Sequence, residues 1–127
     1  MSQSNPKQSN ILIVDDTPEN LSVLTQILTE HGYQVRPALN GQIALKAVQK
    51  ALPDLILLDI IMPGMNGYDV CRQRKSNKRT RDIPVLFISA LNETMDKVKA
   101  FGVGGVDYIA KPFQVEEVLM RIQTHLA

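Results

Sequence analysis

One feature constrains this chain more than any other. From Ile11 to Leu126, short apolar runs alternate with segments of helical period, five of each. Residues 11–14, 55–58 and 85–88 are wholly apolar, 106–110 is a weaker run, and 33–36 alternates apolar with polar. Between them, Leu21, Leu24, Ile27 and Leu28 form one helical stripe, and Ile43, Ala44, Ala47, Val48 and Ala51 form another. Val115, Val118, Leu119, Ile122 and Leu126 make a third, at near-ideal spacing. Residues 67–72 give a short third helix, and Asn92 to about Phe101 gives the fourth. Thr17-Pro18-Glu19 reads as an N-cap, a first-turn proline and a first-turn acid. Asn40 and Asn66 are candidate caps for the second and third helices, and Gly32 can close the first with a positive φ.

Five βα repeats predict an α/β fold, a doubly wound parallel sheet with helices on both faces. Right-handed crossovers restrict the connections. Fully apolar strands belong at the sheet centre and mixed ones at its edges, which gives the order 2-1-3-4-5. Residues 1–10 are polar and aperiodic and read as a flexible tail; residues 11–127 form a single domain. Fourteen basic and thirteen acidic side chains leave a net charge of +1, so no overall field favours nucleic acid or an anionic membrane. No apolar run approaches the length of a membrane span, and the N-terminus lacks a signal-peptide core. Cys71 is the only cysteine, which excludes an intrachain disulfide and suits a reducing, cytoplasmic setting.

In such a sheet, ligands bind at the carboxyl ends of the strands. Strand one ends in Asp15-Asp16, strand three in Asp59, strand four in Ser89, and strand five in Lys111-Pro112. Three carboxylates converge with a hydroxyl and an ammonium. Two like charges about 4 Å apart repel by roughly 4 kcal/mol at an effective dielectric of about 20. A hard divalent cation relieves that repulsion, and an oxygen-only set with open water positions suits Mg²⁺. Mg²⁺ in turn suggests phosphoryl chemistry, with Lys111 and the Ser89 hydroxyl holding the remaining phosphoryl oxygens. Asp59 is the best nucleophile, because it follows the most apolar strand and precedes the turn-rich segment from Met62 to Gly67. Asp15 and Asp16 are then metal ligands, and the backbone carbonyl of Ile61 is a further candidate.

Asp15-Asp16, Asp59 with Met62-Pro63 and Gly67, Ser89-Ala90, and Lys111-Pro112-Phe113 together resemble the receiver domain of two-component response regulators, of the single-domain chemotaxis type. The resemblance runs from Ile11 to Leu126. It implies a flavodoxin-like fold in which Asp59 accepts phosphate from a histidine kinase or phosphotransfer protein. It also implies Mg²⁺, or Mn²⁺, on Asp15, Asp16 and Asp59, with Lys111 paired to the phosphoryl group. Ser89 becomes the switch hydroxyl and Tyr108 the switch aromatic. A downstream protein partner then reads the surface of the fourth helix, fifth strand and fifth helix, and the chain is a monomer or a transient homodimer. The Lys111-Pro112 peptide is often cis in such domains. Apolar Ile61 and Leu91, two residues after Asp59 and Ser89, cannot orient a hydrolytic water, so self-dephosphorylation is expected to be slow.

Other readings fit less well. A phosphatase of the haloacid dehalogenase type needs an acid two residues after its nucleophile, where this chain has Ile61. A flavin site would place phosphate against Asp15-Asp16, and no Trp is present to clamp the ring. An inactive scaffold would be expected to lack one of the site residues. Asp15-Asp16 taken alone could simply cap the first helix, and Tyr108 could be plain packing. Arg72, Arg74, Lys75, Lys78, Arg79 and Arg81 read as a solvated loop between the third helix and fourth strand. That run has no aromatic interleaving, so no direct DNA binding is expected. Cys71 reads as a small buried hydrophobe, Met62 and Met65 as loop packing, and His31 and His125 as charges near helix C-termini.

Overall fold

The computed structural model describes residues 9–90 and 94–126, and the side chains of all of these except 94–97. The first eight residues of the expected tail, Leu91 and the expected helix start at Asn92 lie outside the described residues. The elements are β1 (Asn10–Val14), α1 (Pro18–Glu30), β2 (Gln34–Ala38), α2 (Gly41–Lys50), β3 (Leu55–Leu58), α3 (Gly67–Lys75), β4 (Val85–Ser89), α4 (Thr94–Gly102), β5 (Asp107–Ala110) and α5 (Val115–Leu126). All strand pairs are parallel and the order is β2-β1-β3-β4-β5, as the apolar content of the strands predicts.

Side chains alternate across the sheet with period two. Leu12, Val14, Ile56, Leu58, Val85 and Phe87 pack with Ala44 and Val48 of α2, Val70 and Cys71 of α3, and Ala100 of α4. Ile11, Ile13, Leu55, Leu57, Leu86 and Ile88 pack on the other face with Leu21, Leu24 and Leu28 of α1 and Val118 and Ile122 of α5. Each fully buried Leu or Ile contributes roughly 1.5–3 kcal/mol of transfer free energy. A register slip by one residue would exchange the two layers, so this packing fixes the register.

The helix ends follow the local sequence. The Asn40 and Asn66 side chains accept from Ile43 N–H and Asp69 N–H, and Asp69 completes a capping box on α3. Gly32 takes φ 89° after the His31 C-cap. Thr17 caps α1 by position but makes no side-chain cap bond.

Three expectations need correction. Asn10, placed in the tail, is the first residue of β1: it pairs with Gln34 and donates its N–H to Asp54. β2 covers residues 34–38 rather than 33–36, and Tyr33 is buried before it. The basic run is not a solvated loop throughout. Arg72, Arg74 and Lys75 belong to α3, and Arg74 is 4% exposed. Its guanidinium donates to the carbonyls of Arg81, Ile83 (3.1 Å) and Gly104 (3.2 Å), and so pins the α3–β4 loop to the loop before β5. Cys71 is fully buried beside it, as expected of a small apolar side chain.

Candidate functional site

Three of the chemistry-bearing residues are each positioned by one backbone hydrogen bond that continues a strand pair past its end. Asp15 N–H donates to Ala38 O (3.1 Å), Asp59 N–H to Val14 O (2.9 Å), and Lys111 N–H to Ser89 O (2.8 Å). The strands therefore hold Asp15, Asp59, Ser89 and Lys111 on one rim, where the topology predicts a ligand site. Gly67 fixes the loop after Asp59. Its N–H donates to Ile60 O (2.9 Å), and a Cβ there would run into the Asp59 carbonyl. Any side chain at 67 would push α3 away from the end of β3.

Asp15, Asp16 and Asp59 each place a carboxylate oxygen within 4.8 Å of the others. Asp15 and Asp59 are 1% and 5% exposed, whereas Asp16 faces solvent. Lys111 Nζ reaches Asp15 Oδ2 at 2.9 Å and Asp59 Oδ2 at 3.3 Å. Burial is the main force pushing the Asp59 carboxyl up, to about 6; the Lys111 charge opposes it and the Asp15 charge reinforces it. Burial pulls Lys111 down, but its hydrogen bond to Asp15 and the charges of Asp59 and Asp15 outweigh this and hold the ammonium above its ordinary range. Among the described residues the pocket sets three carboxyl groups against one ammonium, a deficit of positive charge. A divalent cation on hard oxygen ligands fits that deficit.

Other predicted residues take their places around this cluster. Ser89 is fully buried at the end of β4, and Tyr108 is 7% exposed on β5, opposite Phe87 in the register. Ile61 lies in the β3–α3 loop with its side chain 55% exposed. The Lys111-Pro112 peptide is cis. His31 Nδ1 lies 2.9 Å from Ile27 O, and His125 Nε2 lies 3.0 Å from Asp107 Oδ2. Neither histidine belongs to the acidic cluster.

The sequence reading missed Asn20. In the first turn of α1, its Nδ2 donates to Asp15 Oδ2 (3.2 Å), while Thr17 N–H donates to Asp15 Oδ1 (2.8 Å). With Lys111, Asp15 thus accepts three hydrogen bonds, enough to keep a 1%-exposed carboxylate fixed in direction. The available signal was spacing: Asn20 follows Asp15 by five residues, across the tight entry into α1.

Comparison with known proteins agrees with this geometry. Residues 11–123 match the family described as the response regulator receiver domain. Protein PilH of Pseudomonas aeruginosa is 39% identical over 119 residues, which cover 94% of this chain and 98% of PilH. The transcriptional regulator RpaA of Synechocystis is 40% identical over 116 residues, 91% of this chain and 48% of RpaA. Response regulator PleD of Caulobacter vibrioides is 39% identical over 91% of this chain and 26% of its own length. The chain thus spans between about a quarter and a half of the length of most of the curated relatives it matches. Among solved structures, the signal receiver domain of a histidine kinase from Syntrophus aciditrophicus superposes with a TM-score of 0.86 at 36% identity, covering 93% of this chain and 89% of that one. Chemotaxis protein CheY4 of Vibrio cholerae gives 0.88 at 28% identity, covering 92% and 98%. The chain belongs to the receiver domain family of two-component response regulators. Its fold is the flavodoxin-like receiver fold, and receiver domains serve as signalling switches. Among the described residues no helix is long and apolar enough to cross a membrane.

Proposed function

We propose that Asp59 accepts a phosphoryl group from a phosphohistidine of a histidine kinase or phosphotransfer protein. One observation carries this reading: a buried carboxylate, Asp59, stands 3.3 Å from the Lys111 ammonium, which faces a cluster of three carboxylates. A carboxylate oxygen of Asp59 forms the new P–O bond, the P–N bond of the donor breaks, and its electron pair stays on the departing imidazole. The product is an acyl phosphate. Lys111 is placed to hold a phosphoryl oxygen while remaining near Asp15, and the Ser89 hydroxyl holds another. Asp15, Asp16 and Asp59, with the Ile61 carbonyl, would hold Mg²⁺ or Mn²⁺, which when bound offsets the negative charge of the transferring group.

The signal then leaves by a shift between two conformations. Ser89 is drawn towards the phosphoryl group and Tyr108 moves into the space it leaves. A downstream protein reads the change on α4, β5 and α5, where Val98, Phe101 and Val106 are exposed at 62%, 51% and 40%. That partner must bind one conformation better than the other. The chain acts as a monomer or transient homodimer in the cytoplasm. Apolar Ile61 beside the acceptor keeps self-dephosphorylation slow, so Ile61→Asn is expected to change the decay rate.

The direct test is an intact-mass measurement after incubation with acetyl phosphate and Mg²⁺. The expected result is one phosphoryl adduct on the parent and none on Asp59→Ala. An adduct that survives in the variant overturns the assignment of Asp59. For the switch, fluorine NMR of fluorotyrosine-labelled protein is followed while beryllofluoride, a phosphoryl mimic, is added. A Tyr108 signal that stays still at saturation overturns the Ser89–Tyr108 coupling.

A further inference from the structure

The basic run of the sequence is divided by the fold: Arg74 turns inward, and Lys78 and Arg79 turn outward against α2. There they meet two lysines from some thirty residues earlier. Lys46, Lys50 and Lys78 line an open groove of about 1040 Å³ between α2 and the C-terminal end of α3. Its lining contains no acid and no aromatic; the rest of it is Leu45, Ser76 and the amides of Gln49, Gln73 and Asn77. Arg79 stands at its margin, 3.4 Å from Gln49. None of the three lysines forms an ion pair with a described residue.

A solvated loop of cations would be expected to spread its charges apart. This one is held in place. Arg74 anchors the loop through the carbonyls of Arg81 and Ile83, the Thr80 hydroxyl donates to Arg74 O, and the Thr80 and Arg81 N–H groups donate to Asn77 O. The fold therefore keeps several uncompensated positive charges together on a chain whose net charge is only +1. Helices here run back against the strands, so the C-terminal ends of α2 and α3 lie at the pole opposite Asp59. An occupant of the groove would leave the acidic rim open.

We propose that the α2–α3 groove docks an acidic peptide segment of a partner protein. Complementary charge supplies attraction and steering. Side-chain amides suit a peptide backbone, and Leu45 suits an apolar residue between acids. Without aromatics to stack bases or arginine forks in the lining, the groove is poorly suited to nucleic acid. This inference does not depend on phosphorylation of Asp59.

The test is fluorescence anisotropy of the full chain with a fluorescein-labelled peptide of alternating Glu and Leu, at low and physiological salt. Amide NMR shifts are mapped in parallel. The expected result is saturable binding, weakened roughly fivefold by each of Lys46→Glu and Lys78→Glu. Lys99→Glu on α4, which makes the same change in net charge, is expected to have little effect. The shifts are expected to cluster on α2, the end of α3 and residues 76–79. Equal weakening by Lys99→Glu, shifts centred elsewhere, or no binding at low salt overturns the proposal. Tighter binding of a labelled single-stranded oligonucleotide at the same residues also overturns it, in favour of a nucleic-acid surface. All three positions are exposed, and unchanged far-UV circular dichroism of the variants separates lost binding from lost fold.

Discussion

The two ends of β5 carry opposite electrostatic designs. At its carboxyl end, Lys111 faces Asp15 and Asp59, and Asp16 adds a third carboxylate. Among the described residues one cation serves three carboxylates, and Asp59 is pushed up to about 6. At its amino end, Asp107 faces Arg121 through both carboxylate oxygens (3.0 and 3.1 Å) and His125 at 3.0 Å. There one anion has two basic partners, and Arg121 also reaches Glu117 at 3.4 Å. Burial alone would push Asp107 up, but the hydrogen bonds from His125, Tyr108 N–H and Arg121 more than reverse it and hold it below the usual range. A charge cluster that only supports the fold satisfies its own members. Among the described residues the rim of the sheet is left short of positive charge, which suits a bound cation.

The largest effect is expected from removing Lys111. Lys111→Met leaves Asp15 and Asp59 buried without a counter-charge, and breaking such a pair costs about 3 kcal/mol or more. Urea unfolding at neutral pH without divalent metal measures it, and Mg²⁺ is expected to restore part of the loss. An unchanged midpoint would show that Lys111 is not the counter-ion.

Asp59→Asn is expected to act in the other direction. A carboxyl raised from 3.8 to about 6 destabilises the fold wherever the unfolded chain has released its proton. The penalty is absent below about pH 4, grows between about pH 4 and 6, and is complete above that, at about 2–3 kcal/mol. Metal-free Asp59→Asn is therefore expected to exceed the parent in stability at pH 7.5 and to match it near pH 3.5. A constant difference across that range would remove titration as its cause.

Asn20 sharpens the contrast because it orients a carboxylate without adding charge. Asn20→Ala is expected to weaken Mg²⁺ binding, measured by calorimetry, about tenfold. The urea midpoint is expected to move little, since Lys111 and Thr17 N–H still hold Asp15. A large drop in stability with unchanged Mg²⁺ affinity would make Asn20 a structural residue only.

These sites differ in how far the sequence disclosed them. Asp15, Asp59 and Lys111 were legible because each follows an apolar run, and parallel topology carries every such end to one rim. β2 was misjudged at both ends. Tyr33 fitted the alternation but packs into the core before the strand, which runs on through Pro37 to Ala38. On an edge strand a missing N–H is tolerated, so Pro37 simply continues β2. Arg74 was hidden by its charged neighbours and by the rarity of buried arginine. Its spacing did carry a signal: Gly67, Val70, Cys71 and Arg74 share one helical face, and all are buried. The α2–α3 groove was invisible, because Lys46 and Lys78 meet only in three dimensions.

The smallest effect is expected at the opposite end of β5. Asp107 has a depressed folded value, so its contribution is present above the unfolded carboxyl range of about 4 and is lost as pH falls through that lower value. Arg121 is 39% exposed, and solvent screening cuts the gain to about 0.5–1 kcal/mol. Asp107→Asn is thus expected to lower the urea midpoint slightly at pH 7, and the deficit is expected to close in strong acid and shrink in high salt. The rim variants behave otherwise: relative to the parent, Asp59→Asn gains stability as pH rises through the same range, because burial there outweighs the Lys111 charge. If both variants shifted stability in the same direction with pH, the opposition between the two ends of β5 would fail.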